Sequence, residues 1–82
     1  MMRVYYLDTS ALVKRYVSGL GSDVVDEIFS NAYRGLNVLA FSYWNIAEAA
    51  VVFDKYGRRL GLNARNLLRN LLREARTLAK LN

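Results

Sequence analysis

Two short β-branched and aromatic runs, at residues 3–7 and 37–41, each stop at a polar helix-starting residue. The stretch between them reads as helix. A crossover of that length joins parallel strands, and such connections are right-handed. The order strand, helix, helix, strand, helix, helix therefore constrains this 82-residue chain to an α/β architecture.

Local signals divide the chain further. The first strand, residues 3–7, is expected to be buried on both faces. A short helix follows over 10–18, closed by Ser18 and Gly19. Ser22 is expected to cap a helix over 22–34, with Asp23, Asp26 and Glu27 at its positive end and Arg34 and Gly35 at the other. Ser42 caps a third helix over 43–56, which Gly57 is expected to stop, and Asn63 opens a fourth over 63–81. The chain has no proline, repeat or low-complexity linker, so residues 1–82 read as one small domain. Two strands are few for a parallel sheet, which usually has several strands and both faces covered.

Hydrophobic residues make up 54% of the chain, enough to offset ordering entropy and exclude disorder. Cysteine and histidine are both absent. That excludes disulfides, thiolate or imidazole zinc sites, and triads built on histidine. Hydrolytic chemistry here must use carboxylates, hydroxyls, basic groups or a hard metal ion. No secretory signal or membrane-spanning segment is expected, because Asp8 interrupts the first apolar run and charges break the others. A cytoplasmic location is the expectation.

In open parallel sheets, ligands bind beyond the carboxyl ends of the strands. Asp8 ends the first strand and Ser42 the second. Glu48 follows in the next helix, where side chains lean back toward the helix start. The two acids should converge on one rim, with Ser10 nearby. Glu48 has Trp44, Asn45, Val51 and Val52 as its helical neighbours, none able to pair with it; Ile46, Ala47, Ala49, Ala50 and Phe53 make the helix apolar nearly all round, so deep burial is expected. Mg²⁺ or Mn²⁺ is a candidate partner, since hard cations take oxygen ligands. Simpler roles stand beside this one. Asp8 can cap the first helix, Glu48 can meet an arginine or solvent, and Ser10 and Ser42 can be caps.

Charge is uneven along the chain. Residues 1–54 hold four basic and six acidic side chains, whereas 55–82 hold eight basic and only Glu74. On a helix, Arg65, Arg69, Arg73, Arg76 and Lys80 share an arc of roughly 80°, opposite a leucine-rich arc. This face can be solvated, track phosphates or meet an acidic partner, and the leucines can face the core or a second subunit. Glu74, between arginines, is expected to be an ion-paired surface residue.

The run Tyr6-Leu7-Asp8-Thr9-Ser10-Ala11-Leu12-Val13-Lys14-Arg15-Tyr16 closely resembles the opening of PIN domains, particularly VapC-type toxins. Ser42-Tyr43-Trp44-Asn45-Ile46-Ala47-Glu48 resembles that family's second block. The resemblance covers residues 4 to about 55. It implies a three-layer α/β/α fold around a five-stranded parallel sheet, of which this chain supplies two strands and four helices. The implied activity is Mg²⁺- or Mn²⁺-dependent endoribonuclease cleavage of RNA, opposed by a cognate antitoxin, often in a homo-oligomer. Carried over by position, Asp8 and Glu48 are the acidic metal ligands and Ser10 supports them. Further aspartates of the family fall on later strands, so the 82-residue chain is expected to show little or no activity. The alternative is a non-catalytic, dimerising interaction module whose basic helix binds nucleic acid or an acidic partner.

Overall fold

A computed structural model describes residues 2–81. The elements follow in the order β1 (Arg3–Tyr6), α1 (Thr9–Tyr16), α2 (Ser22–Tyr33), β2 (Asn37–Phe41), α3 (Tyr43–Leu60), α4 (Ala64–Leu78) and β3 (Ala79–Leu81). The strands form one parallel sheet in the order β1-β2-β3. The α/β architecture with four helices and parallel strands is as the sequence order predicts.

The third strand corrects the expectation that the last helix continues to residue 81. β2 is the buried central strand, and its second edge must pair with something, because unpaired buried backbone groups are costly. Ala79 to Leu81 supply that edge, pairing with Leu39 to Phe41. Tertiary pairing thus overrides helix propensity at the end of α4.

β1 is not buried on both faces. Tyr5 and Leu7 turn inward, whereas Val4 and Tyr6 are 45% and 77% exposed. The topology explains this. Two right-handed crossovers stepping in the same direction place both helix pairs on one face of the sheet, which corrects the expected three-layer α/β/α arrangement to two layers among the described residues. Leu7, Leu39 and Phe41 meet Leu12, Phe29, Phe53 and Leu71 there. Tyr16 packs edge-on against Phe29 and Phe53, with centroids 6.4 and 5.9 Å away.

Helix ends differ from the sequence expectation in instructive ways. α1 begins at Thr9, with Asp8 as its cap, and ends at Tyr16, before Ser18-Gly19. Gly21, and not Ser22, occupies the cap position of α2; the Ser22 hydroxyl oxygen accepts from Gly19 N at 2.9 Å. α3 runs through Gly57 to Leu60, and Gly61 at φ +68° is the left-handed stop. Gly57 serves close approach: a Cβ there would lie 2.9 Å from the Leu62 carbonyl oxygen and 3.4 Å from Ala64 Cβ. It lets the α3–α4 turn fold against the helix.

Candidate functional site

The rim at the carboxyl ends of β1 and β2 is built by two helix starts. Leu7 N donates to Ala40 O at 2.9 Å, carrying the pairing to the last residue before Asp8. Asp8 then caps α1, its Oδ1 accepting from Ala11 N at 2.9 Å. On the neighbouring strand, Ser42 and Asn45 form a reciprocal capping box that opens α3. Asn45 Nδ2 donates to Thr9 Oγ1 at 3.3 Å, and Thr9 Oγ1 donates to Glu48 Oε1 at 2.9 Å. The two helix starts are thereby joined. Glu48 is tied to the residue that follows Asp8.

Both acids are exposed, which corrects the expected burial of Glu48. α3 packs through a single stripe in which Ala49 and Phe53 are buried and Ile46, Val52 and Tyr56 lie against the core. Trp44 and Val51 on its other side are 70% and 71% exposed. The helix is apolar nearly all round yet covered on one side only, so Glu48 reaches solvent.

Each carboxylate uses one oxygen in the bonds above, leaving Asp8 Oδ2 and Glu48 Oε2. Cap and ligand roles are thus compatible for Asp8. Mg²⁺ is commonly held by one or two carboxylates plus substrate phosphates and keeps most of its water. Among the described residues, no group of three or more acidic, cysteine or histidine side chains is placed to hold an ion.

Ser10 is exposed, and with Thr9 and Lys14 it lines one end of a cleft of about 540 Å³ between α1 and α3. The hydroxyl that reaches Glu48 belongs to Thr9, not Ser10. Sequence reasoning placed Asn45 only as a helical neighbour of Glu48 and Thr9 in the run that follows Asp8. The paired strand–helix junctions were the signal that they face each other.

Glu74 corrects a further expectation. It is not a surface residue but 8% exposed, enclosed by three helices. Arg15 grips it in a two-pronged pair, Nε to Oε1 at 3.0 Å and Nη2 to Oε2 at 2.9 Å. Tyr16 and Tyr33 hydroxyls donate to it at 2.9 and 2.7 Å. Arg15 also bonds Asp26 at 2.9 Å and lies 4.7 Å from the Phe29 ring centroid. Burial by itself would raise the Glu74 carboxyl, but the bonds from Arg15, Tyr33 and Tyr16 hold it below its ordinary value of 4.5. With both oxygens occupied, Glu74 is a structural tie and not a ligand for the rim.

Arg65, Arg69, Arg73 and Arg76 are exposed along α4 and, with Leu68 and Leu72, line a depression of about 440 Å³. Lys80 is not on this helix but in β3, paired with Ala40; its side chain lies outside the described residues. Leu71 and Ala75 are buried, and Leu67, Leu68 and Leu78 pack on the core, so the leucine arc faces inward. The arginine depression and the cleft beside the rim share no lining residue.

No family model, curated protein or solved structure matches this chain. Among the described residues, no helix is long and apolar enough to cross a membrane.

Proposed function

We propose that the chain is a PIN/VapC-like domain whose chemistry is metal-dependent endoribonucleolytic cleavage, in the cytoplasm, within a toxin–antitoxin pair. The observation that carries this reading is the junction of the two strand ends. Glu48 bonds Thr9, the residue that follows Asp8, and Asp8 caps the helix that Thr9 begins. Asp8 and Glu48 are the residues to hold Mg²⁺ or Mn²⁺, with Ser10 bordering the site. The ion, when bound, supplies a water of lowered pKa and stabilises charge on phosphate oxygens. The exposed arginines of α4 supply a sequence-independent attraction for RNA phosphates. A cognate antitoxin and a second copy of the chain are the protein partners of this reading. PIN domains place further carboxylates on later strands, and two acids hold a divalent ion weakly. Little or no turnover is therefore expected from these 82 residues alone.

Titration calorimetry with Mn²⁺ tests the reading directly. Heat that disappears in Asp8→Asn and in Glu48→Gln supports it, and a wild-type chain that takes up no Mn²⁺ ends it. Robust RNA cleavage by the wild type, lost in Asp8→Asn, would overturn the expected inactivity and show that two carboxylates suffice.

A second reading is a non-catalytic interaction module. The exposed Trp44 and Val51 on the outer side of α3 favour it, as does the arginine face of α4. The inward-facing leucines weaken it, because the arc offered for dimerisation is occupied by the core. RNA retention that is indifferent to metal, with no Mn²⁺ heat, is its expected signature.

A further inference from the structure

Two stripes of opposite charge lie on the outer faces of α2 and α4. Arg65, Arg69, Arg73 and Arg76 are exposed along α4, and among the described residues none of them makes an ion pair. Arg73 bonds the neutral side chain of Asn70, at 3.2 Å. Like charges three and four residues apart destabilise a helix, so this stripe works against the fold that carries it. Asp23 and Glu27 are the acidic counterpart on α2. They are the chain's one pair of acids four residues apart. Both are exposed, and neither has an ion-pair partner among the described residues. At ~100° per residue, each stripe sits roughly opposite the residues its helix buries, Val25 on α2 and Leu71 on α4. Each also has an apolar flank. Leu68 and Leu72 line the depression of about 440 Å³ with the arginines, and Val24, 58% exposed, stands beside the two acids.

We infer that a second copy of this chain occupies the α4 depression, setting Asp23, Val24 and Glu27 of its α2 against the arginine–leucine face. Charge and spacing are complementary: two acids four residues apart meet Arg69 and Arg73, also four apart, and Val24 covers the leucine flank. A phosphate backbone would satisfy the arginines but bring nothing apolar to Leu68 and Leu72. Handedness fixes how the helices lie. Seen from the helix start, Val24 is clockwise of the acids and the leucines are anticlockwise of the arginines. The apolar flanks therefore face each other only where the two helices run parallel. Within one chain, α2 and α4 lead into the starts of the parallel strands β2 and β3. A two-fold axis along them lays α2 of each copy on α4 of the other, so the contact is made twice. Two acids engage two of the four arginines, and the other two keep the attraction for phosphate proposed above. The inference goes beyond the rim chemistry and does not depend on a metal there.

Sedimentation equilibrium of the full chain tests it, and the wild type is expected to dimerise. Asp23→Lys/Glu27→Lys and Arg69→Glu/Arg73→Glu each place like charges face to face. Each alone is expected to raise the dimer dissociation constant on the order of 100-fold or more. An equimolar mixture of the two variants restores opposite charges at both contacts and is expected to recover the dimer. All four positions are exposed, and circular dichroism checks that each variant keeps its fold. If a reversed chain is poorly folded, Asp23→Asn/Glu27→Gln and Arg69→Gln/Arg73→Gln are expected to weaken the dimer in the same direction. A monomeric wild type overturns the inference, as does a dimer that neither reversal weakens or a mixture that stays monomeric. A monomer that retains RNA through Arg69 and Arg73 gives the face to nucleic acid and overturns it equally.

Discussion

Two glutamates on neighbouring helices live in opposite circumstances. Glu74 on α4 is 8% exposed and accepts four bonds from Arg15, Tyr16 and Tyr33. Glu48 on α3 faces solvent, held by the single bond from Thr9. A buried carboxylate is tolerated only with its lone pairs satisfied and a cation beside it, and removing one partner strands the charge. An exposed carboxylate loses little when a bond is cut, because water replaces it. The first arrangement secures the fold and has no oxygen to offer. The second contributes little to the fold and leaves Oε2 open to solvent.

That contrast can be broken most forcefully at Arg15. Arg15→Leu leaves Glu74 buried without its counter-charge, a loss of about 3 kcal/mol. For a domain of this size that corresponds to a fall in melting temperature of ~12 °C or more. Circular dichroism melts read it directly, and an unchanged melting temperature would mean that the cage does not secure α4. A change of pH reaches the same cage without a mutation. The Glu74 carboxyl is held below 4.5 in the folded state, so its contribution is complete above that pH and is lost as the pH falls further. Burial, followed by the nearby Glu74 charge, pushes the Tyr16 phenol above its ordinary 10.0. Stability should therefore also decline as the pH rises past 10, where the unfolded phenol ionises first. Denaturant midpoints across pH 3–11 are expected to trace a plateau with both shoulders, and in Arg15→Leu the acid shoulder should shrink.

Smaller effects sharpen the comparison. Tyr33→Phe removes the 2.7 Å bond to Glu74 from a residue that is 53% exposed. A loss of about 1.5 kcal/mol is expected, as for a hydrogen bond to a charged group. A loss as large as that of Arg15→Leu would show that the phenol, and not the guanidinium, is the main support. Glu48→Gln closes the series: its unfolding free energy should stay within about 0.5 kcal/mol of wild type, while Mn²⁺ heat disappears. A large destabilisation would place Glu48 among the structural ties and remove the contrast altogether.

Much of the frame was legible in the residues. The β-branched runs at 3–7 and 37–41, the Ser42 and Asn63 caps and the strand–helix order all express themselves locally, within a few neighbours. So does the junction of the two strand ends, because parallel pairing fixes where both strands stop. What escaped was decided by tertiary packing. Nothing near Glu74 in sequence announces that its partners are Arg15, Tyr16 and Tyr33, 41 to 59 residues away. An apolar α3 suggests burial on every side, and only the packing tells which side stays bare. The end of α4 is likewise set by the open edge of β2 and not by its own residues.

The face of the sheet opposite the helices carries a further consequence. Val4 and Tyr6 stand open there, with Val38 and Ala40 as their register partners. This small greasy plate belongs to the native fold, so a dye such as anilinonaphthalene sulfonate should light up on fully folded protein. Fluorescence of that kind is usually read as loosened packing; for this chain, it would report an intact molecule with the outer face of its edge strand β1 undressed.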